Sequence, residues 1–262
     1  MIKAKKSLGQ NFLIDQNVID KIINLIDIKN KSILEIGPGT GNLTKNIIKK
    51  NPKKILLVEK DSRFLELLNK DSNPIIKIIN QDVLKINENE LDDDVLTVFG
   101  NLPYNISTEI LCKWILNINN KKFWFDYLVL MFQKEVADRI LAKFNTKNYG
   151  RLSILTNWKL KVTKIFDVKP SSFSPRPKID SSILLFQPKS KFFLLKNGKN
   201  LEKLTRVFFM HRRKMLKKPY KILFHDNLKI ADKLNVNLNL RPQNLNFETY
   251  YKLTEEYENL RS

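Results

Sequence analysis

Cysteine is almost missing from this chain. Cys112 stands alone among 262 residues, which excludes an intrachain disulfide and a cysteine-built zinc cluster and fits a reducing cytosol. Histidine is as scarce: His211 and His225 are too few for a histidine-built metal centre, so no metal is expected. Long apolar runs are missing too. None approaches the roughly 18 residues needed to span a bilayer, and residues 1–10 lack the apolar centre of a signal peptide. These deficits point to a soluble, cytoplasmic protein without a membrane partner. Acidic residues are outnumbered, 27 against 47 Lys and Arg, for a net charge of +20. Such an excess favours a polyanionic partner, nucleic acid above all. A genome-wide bias towards Lys, Asn and Ile is the plainer alternative.

What is present is enough apolar material, 42% of the chain, to build one large domain and a small one. Short apolar runs at 32–36, 55–58, 75–79, 95–99 and 127–132 read as buried strands. Between them, 42–50, 62–69, 107–118 and 135–144 carry apolar residues at spacings of three and four, as helices do. This alternation is that of an α/β, doubly wound, Rossmann-like sheet. Stretches 162–168 and 181–186 read as a closing pair of strands, separated by a proline-rich turn. After Pro188 the pattern becomes helical, so the division expected is 1–187 and a small basic helical domain, 188–262. The smaller part carries 17 basic and 7 acidic residues, the larger 30 and 20. Both are net +10, so the small domain is about two and a half times as basic per residue. Within it, 208–218 interleaves apolar and basic residues at helical spacing, which makes Arg212, Arg213 and Lys214 candidates for contact with a nucleic acid.

Two constellations carry chemistry. Glu35-Ile36-Gly37-Pro38-Gly39-Thr40-Gly41 follows the first of these strands and opens a helix, where Gly37 and Gly39 let the backbone turn sharply and approach a ligand. Its G-x-G-x-G spacing is one residue shorter than a dinucleotide fingerprint and fits a cofactor whose aminoacyl part crosses the loop. Glu59 ends the second strand, where a carboxylate can accept from both hydroxyls of a ribose, unless it pairs with Lys60 instead. Asp82 follows the third and can accept from an adenine amine, while Gln10-Asn11-Phe12-Leu13 can close over the pocket. The second constellation is Asn101-Leu102-Pro103-Tyr104 after the fourth strand. An exocyclic adenine amine offers two N–H donors and no basic lone pair, so a site acting on it needs acceptors. The Asn101 oxygen and the Pro103 carbonyl supply two, and Tyr104 supplies a stacking face.

With these residues in place the chain resembles the ribosomal RNA adenine dimethyltransferase family. The motifs that carry the resemblance run in order from about Lys6 to Pro188: Ser7-Leu8-Gly9-Gln10-Asn11-Phe12-Leu13, the glycine turn, Asn101-Leu102-Pro103-Tyr104-Asn105-Ile106-Ser107, Gln133-Lys134-Glu135-Val136, Tyr149-Gly150-Arg151-Leu152-Ser153 and the stretch from Ser172 to Ser181. The resemblance implies an S-adenosylmethionine-dependent enzyme that dimethylates two adjacent adenines of small-subunit ribosomal RNA, met in a partly assembled subunit, by a monomer. It places Asn11, Leu13, Gly37, Glu59, Asp82 and Asn101 against the methyl donor, and Phe173 across the target base from Tyr104. Beyond the paired arginines the chain departs from the family pattern: Lys214 leads into Met215-Leu216-Lys217-Lys218-Pro219. Two rival readings are a DNA adenine amino-methyltransferase and a non-catalytic RNA-binding assembly factor on the same fold.

Overall fold

A computed structural model describes residues 3–5, 8–70, 73–118, 122–225 and 227–261; Ser7 of the first motif lies outside them. The strands are β1 (Phe12–Leu13), β2 (Ser32–Ile36), β3 (Lys54–Val58), β4 (Ile76–Ile79), β5 (Leu96–Gly100), β6 (Phe125–Gln133), β7 (Leu160–Val168), β8 (Phe173–Ser174) and β9 (Ser181–Pro188). The helices are α1 (Gln16–Ile23), α2 (Asn42–Ile48), α3 (Leu65–Asn69), α4 (Ser107–Leu116), α5 (Lys134–Ile140), α6 (Arg151–Lys159), α7 (Gly198–Met210), α8 (Lys217–Phe224), α9 (Leu228–Lys233) and α10 (Phe247–Asn259). Two compact units result, one of residues 1–137 and 162–188, the other of 138–161 and 189–262.

The first unit is built on a seven-stranded sheet in the order β4-β3-β2-β5-β6-β9-β7. Its first five strands are parallel, and β9 runs antiparallel to β6. Every residue of β2 and β5 is buried, as expected for strands covered by helices on both faces. Helix α1 shows how the flanks are fixed: the Asp15 carboxylate caps it by accepting from the amides of Asn17 and Val18. Its Ile19, Ile22 and Ile23 then join a core with Ile33, Leu57, Phe99 and Met131. Register decides where function sits. Ile36 lies opposite both Val58 and Gly100, and Val58 opposite Ile79. The carboxyl ends of β2, β3, β4 and β5 are therefore level, and residues 37, 59, 80–82 and 101 leave the sheet along one edge. Because chain order reverses at β2, this edge is the crevice where open α/β sheets take ligands.

The second unit is helical and closes on an aromatic cluster, in which Tyr149 meets Phe247 at 5.4 Å and Phe209 at 6.1 Å between ring centroids. Tyr251 donates to the carbonyl of Ile154 at 3.2 Å. These contacts draw 138–161 into the helical unit, whereas the division expected from sequence at 187/188 assigns them to the larger one. The basic stretch also differs from the single helix expected over 208–218. Helix α7 stops at Met210 and α8 starts at Lys217. Pro219 lacks an amide hydrogen and is tolerated only in a first helical turn, and the amides of Leu216 and Lys217 instead donate to Leu240 and Leu238. No helix among the described residues is long and apolar enough to cross a membrane.

Candidate active site

The level strand ends open into a cavity of about 250 Å³ in the first unit. Its floor is the glycine turn. Gly37 has φ +66° and nothing within 4 Å of where a Cβ would stand, so the space above it is open to a ligand. Gly39 has φ +51°, and a Cβ there would meet the Phe12 ring at 2.8 Å; only glycine fits beneath the chain that passes over it. The Gly39 amide donates to Glu59 Oε2 at 3.1 Å, and the Asp61 amide to Glu59 Oε1 at 2.8 Å. Burial raises the Glu59 carboxyl above its ordinary range, and these amides pull it back in part. Each of its oxygens keeps a lone pair for a hydroxyl donor. The pairing with Lys60 considered from sequence goes elsewhere, since Lys60 binds Asp82 Oδ2 at 2.8 Å.

Asp82 is thus engaged twice, by Lys60 and by the Leu84 amide at 3.0 Å. The Lys60 hydrogen bond leads in holding its carboxyl below the usual carboxylate range. Lys60 is 59% exposed, and a pair this open to water is weak enough to yield to a ligand. Val83 and Leu84 add an apolar wall beside it. Together, a positive-φ turn, a ribose-type carboxylate and an apolar slot with a second carboxylate fit an adenosyl cofactor.

On the other side of the cavity stand Asn101, Leu102, Pro103 and Tyr104. Asn101 Nδ2 donates to the Asn11 carbonyl at 2.8 Å. A carbonyl only accepts, so the amide is fixed in this sense and its oxygen is left without a partner among the described residues. The Pro103 carbonyl accepts from the Ile106 amide at 3.1 Å and closes the turn. The Tyr104 hydroxyl meets Ser181 Oγ at 2.6 Å, an anchor that sequence reading missed because 77 residues separate the two. Burial raises the Tyr104 hydroxyl's pKa, and the Ser181 hydrogen bond moderates the shift.

Asn11 lines the cavity, Leu13 lines a smaller adjoining pocket with Gly37 and Asn101, and Phe173 lines neither. Leu13 points into the core and contributes its carbonyl, which accepts from Asn42 Nδ2 at 2.8 Å. Phe173 lies opposite it in the β1–β8 pair and is 2% exposed within the same core. The stacking of Phe173 on a target base that the resemblance implies has no counterpart in this structure, where the ring is buried in the core and does not line the cavity. In the second unit, Arg212 is held by its own fold, donating to the Lys147 carbonyl and to Gln243 Oε1. Arg213 and Lys214 are exposed and border an open groove of about 790 Å³ with Lys217, Lys218 and Arg241.

Beneath the glycine turn, Glu35 is 2% exposed and accepts from the Thr44 hydroxyl at 2.7 Å. Burial pushes its carboxyl up from 4.5 to about 8. The native state therefore keeps a proton that the unfolded chain gives up, and stability falls as pH rises between these values. Compared with Glu35→Gln, the wild-type melting temperature is expected to drop steadily from about pH 4.5 to about pH 8 and level off above. A constant difference across that range would refute the assignment.

The fold and the site define a class: an α/β Rossmann-like methyltransferase that takes S-adenosylmethionine. Comparison with known proteins narrows it. The model of the family described as ribosomal RNA adenine dimethylase matches residues 1–259. A protein of Pelagibacter ubique named ribosomal RNA small subunit methyltransferase A is 64% identical over 260 residues, covering 99% of both chains. One of the same name from the Wolbachia of Drosophila simulans is 40% identical, covering 98% of this chain and 95% of its own. Among solved structures, a dimethyladenosine transferase from Plasmodium falciparum superposes with a TM-score of 0.81 at 30% identity, over 95% of this chain and 98% of that one. The 23S rRNA methyltransferase ErmE shares the fold, with a TM-score of 0.67 at 22% identity over 95% of this chain and 100% of that one. The chain belongs to the ribosomal RNA adenine dimethylase family.

Proposed function

We propose that this protein transfers methyl groups from S-adenosylmethionine to the exocyclic amine of adenine in small-subunit ribosomal RNA. Two adjacent adenines each receive two methyls, within a partly assembled subunit, and the protein acts as a monomer. The observation that carries the reading is the Asn101 amide, fixed by Asn11 so that its oxygen is the free acceptor at the rim of the cofactor cavity.

The cofactor supplies an electrophilic methyl group. Glu59 holds the ribose hydroxyls, Asp82 and Val83 the adenine, and Gly37 and Gly39 leave room for the aminoacyl part. No strong base is needed at the other reactant. Asn101 Oδ1 accepts one amine hydrogen, and a backbone carbonyl of the 102–103 turn accepts the other. The Leu102 carbonyl takes this second role more readily than that of Pro103, because it has no partner among the described residues while Pro103 already accepts from Ile106. As the nitrogen becomes tetrahedral and positive charge develops on it, both bonds strengthen, so they stabilise the transition state more than the bound substrate; the donor would leave as a neutral thioether, and the surplus N–H proton of the methylated amine would pass to water. Tyr104, anchored through Ser181, offers a ring to a base that has left its stack.

The assay is direct: labelled methyl donor with small subunits from a strain lacking this modification or, in parallel, with a duplex DNA oligonucleotide, then digestion of the nucleic acid and identification of the nucleoside. Labelled dimethyladenosine is the expected product; label in duplex DNA alone, or none, would overturn the reading. Arg213, Lys214 and the neighbouring cations serve RNA binding, with Arg212 bracing them. The logarithm of RNA affinity should therefore fall linearly with the logarithm of salt concentration, by about 0.7 for each single-strand phosphate neutralised. A flat dependence would contradict this.

A further inference from the structure

Helix α4 joins the two walls of the cavity. Its start is tied to the amine-binding turn by the Ile106 amide on Pro103 O at 3.1 Å and by Ser107 Oγ on Tyr104 O at 3.3 Å. Further along the same helix, Lys113 Nζ donates to the Val83 carbonyl at 3.1 Å, to the Ile86 carbonyl and to Glu88 Oε1. All three ammonium hydrogens thus have acceptors in one short stretch. Glu88 is 1% exposed and also accepts from Trp114 Nε1 at 2.9 Å and Asn117 Nδ2 at 3.3 Å. Residues 82–90 belong to no sheet, and their backbone bonds are local, such as Lys85 to Asp82 and Glu90 to Asn87. Nothing in a ladder fixes this stretch, yet its first residues, Asp82, Val83 and Leu84, line the cavity.

We propose that Lys113 and Glu88 are positioning residues for the methyl-donor site, clamping the Asp82–Val83–Leu84 wall to the helix that carries the amine-binding turn. A plain structural role predicts that their loss costs only stability, since breaking a buried pair leaves an uncompensated charge. A positioning role predicts a loss that survives once the charges are balanced. The inference rests on the donor-site reading above.

The test compares wild type, Lys113→Met and the double variant Lys113→Met/Glu88→Gln, which removes both charges while leaving an oxygen for Trp114. Melting temperature and S-adenosylmethionine affinity are measured by calorimetry without RNA. The single variant is expected to melt lower. The double variant should regain most of the stability yet bind S-adenosylmethionine about tenfold more weakly, the scale of a lost charged hydrogen bond. Its KM for the donor should rise in parallel, with KM for RNA unchanged. Wild-type affinity in the stable double variant would overturn the proposal. Should the double variant not fold, Lys113→Arg carries the same comparison: weaker donor binding at unchanged melting temperature supports the proposal, and unchanged binding overturns it. Absence of donor binding by the wild type would strike the donor-site reading itself.

Discussion

Asn101→Ala is expected to lower turnover by on the order of 10²-fold or more, the loss seen when one preorganised hydrogen-bond partner is removed from a developing charge. The side chain's own fold contact is a single hydrogen bond to the Asn11 carbonyl, so melting temperature should move little. In the proposed mechanism the missing oxygen faces the amine as it becomes tetrahedral, so KM for the donor should change less than turnover. Asn101→Asp separates the two roles of the amide. A carboxylate still accepts from the amine but cannot donate to Asn11 O, so its activity should lie between those of wild type and alanine variant. Near-normal turnover in a folded, donor-binding alanine variant would dispose of Asn101 as the acceptor.

Glu59→Gln should weaken S-adenosylmethionine binding by about 10²-fold, corresponding to the loss of charged hydrogen bonds in a buried site. The Gly39 and Asp61 amides each donate to one of the Glu59 oxygens. A glutamine must set its NH₂ against one of these N–H donors, which leaves that donor unsatisfied and the ribose with one acceptor fewer. Turnover at saturating donor should stay close to wild type, since the carboxylate lies away from the amine-binding turn. Because burial raises the Glu59 carboxyl, donor affinity in the wild type should begin to fall on acidification at a higher pH than an ordinary carboxylate would give. That acid limb should be absent in Glu59→Gln. Isothermal titration across pH checks both; equal affinity of the two proteins would contradict the ribose assignment.

The sheet was legible because β2, β3, β5 and β6 are apolar runs covered on both faces, and burial of that kind leaves an unbroken hydrophobic trace. The cavity was legible for a related reason: its residues sit directly after strand ends, so the motifs gather along one edge of the sheet, although their order there follows β4-β3-β2-β5 and not the chain. Other parts were hidden. Helix α6 buries Ser153, Thr156 and Lys159 beside Ile154, Leu155 and Trp158, and a helix covered all round shows no polar stripe to read. The inward turn of Phe173 was hidden because β8 has only two residues, too few for an alternation that tells one face from the other. The break between α7 and α8 was signalled by Pro219, but the bonds that stabilise it reach to Leu238 and Leu240. The Tyr104–Ser181 and Lys113–Glu88 contacts join distant segments through polar side chains whose pairing no local pattern announces.

We propose that a side-chain amide and a backbone oxygen, not a base, grip the adenine amine. This grip is tested most directly by a crystal structure with S-adenosylhomocysteine and an RNA oligonucleotide carrying the target adenines. An unstacked adenine is expected against Tyr104, with N6 within hydrogen-bond distance of Asn101 Oδ1 and a carbonyl of the 102–103 turn, and directed at the sulfur. A purine bound elsewhere, or an Asn101 oxygen turned away from N6, would contradict it.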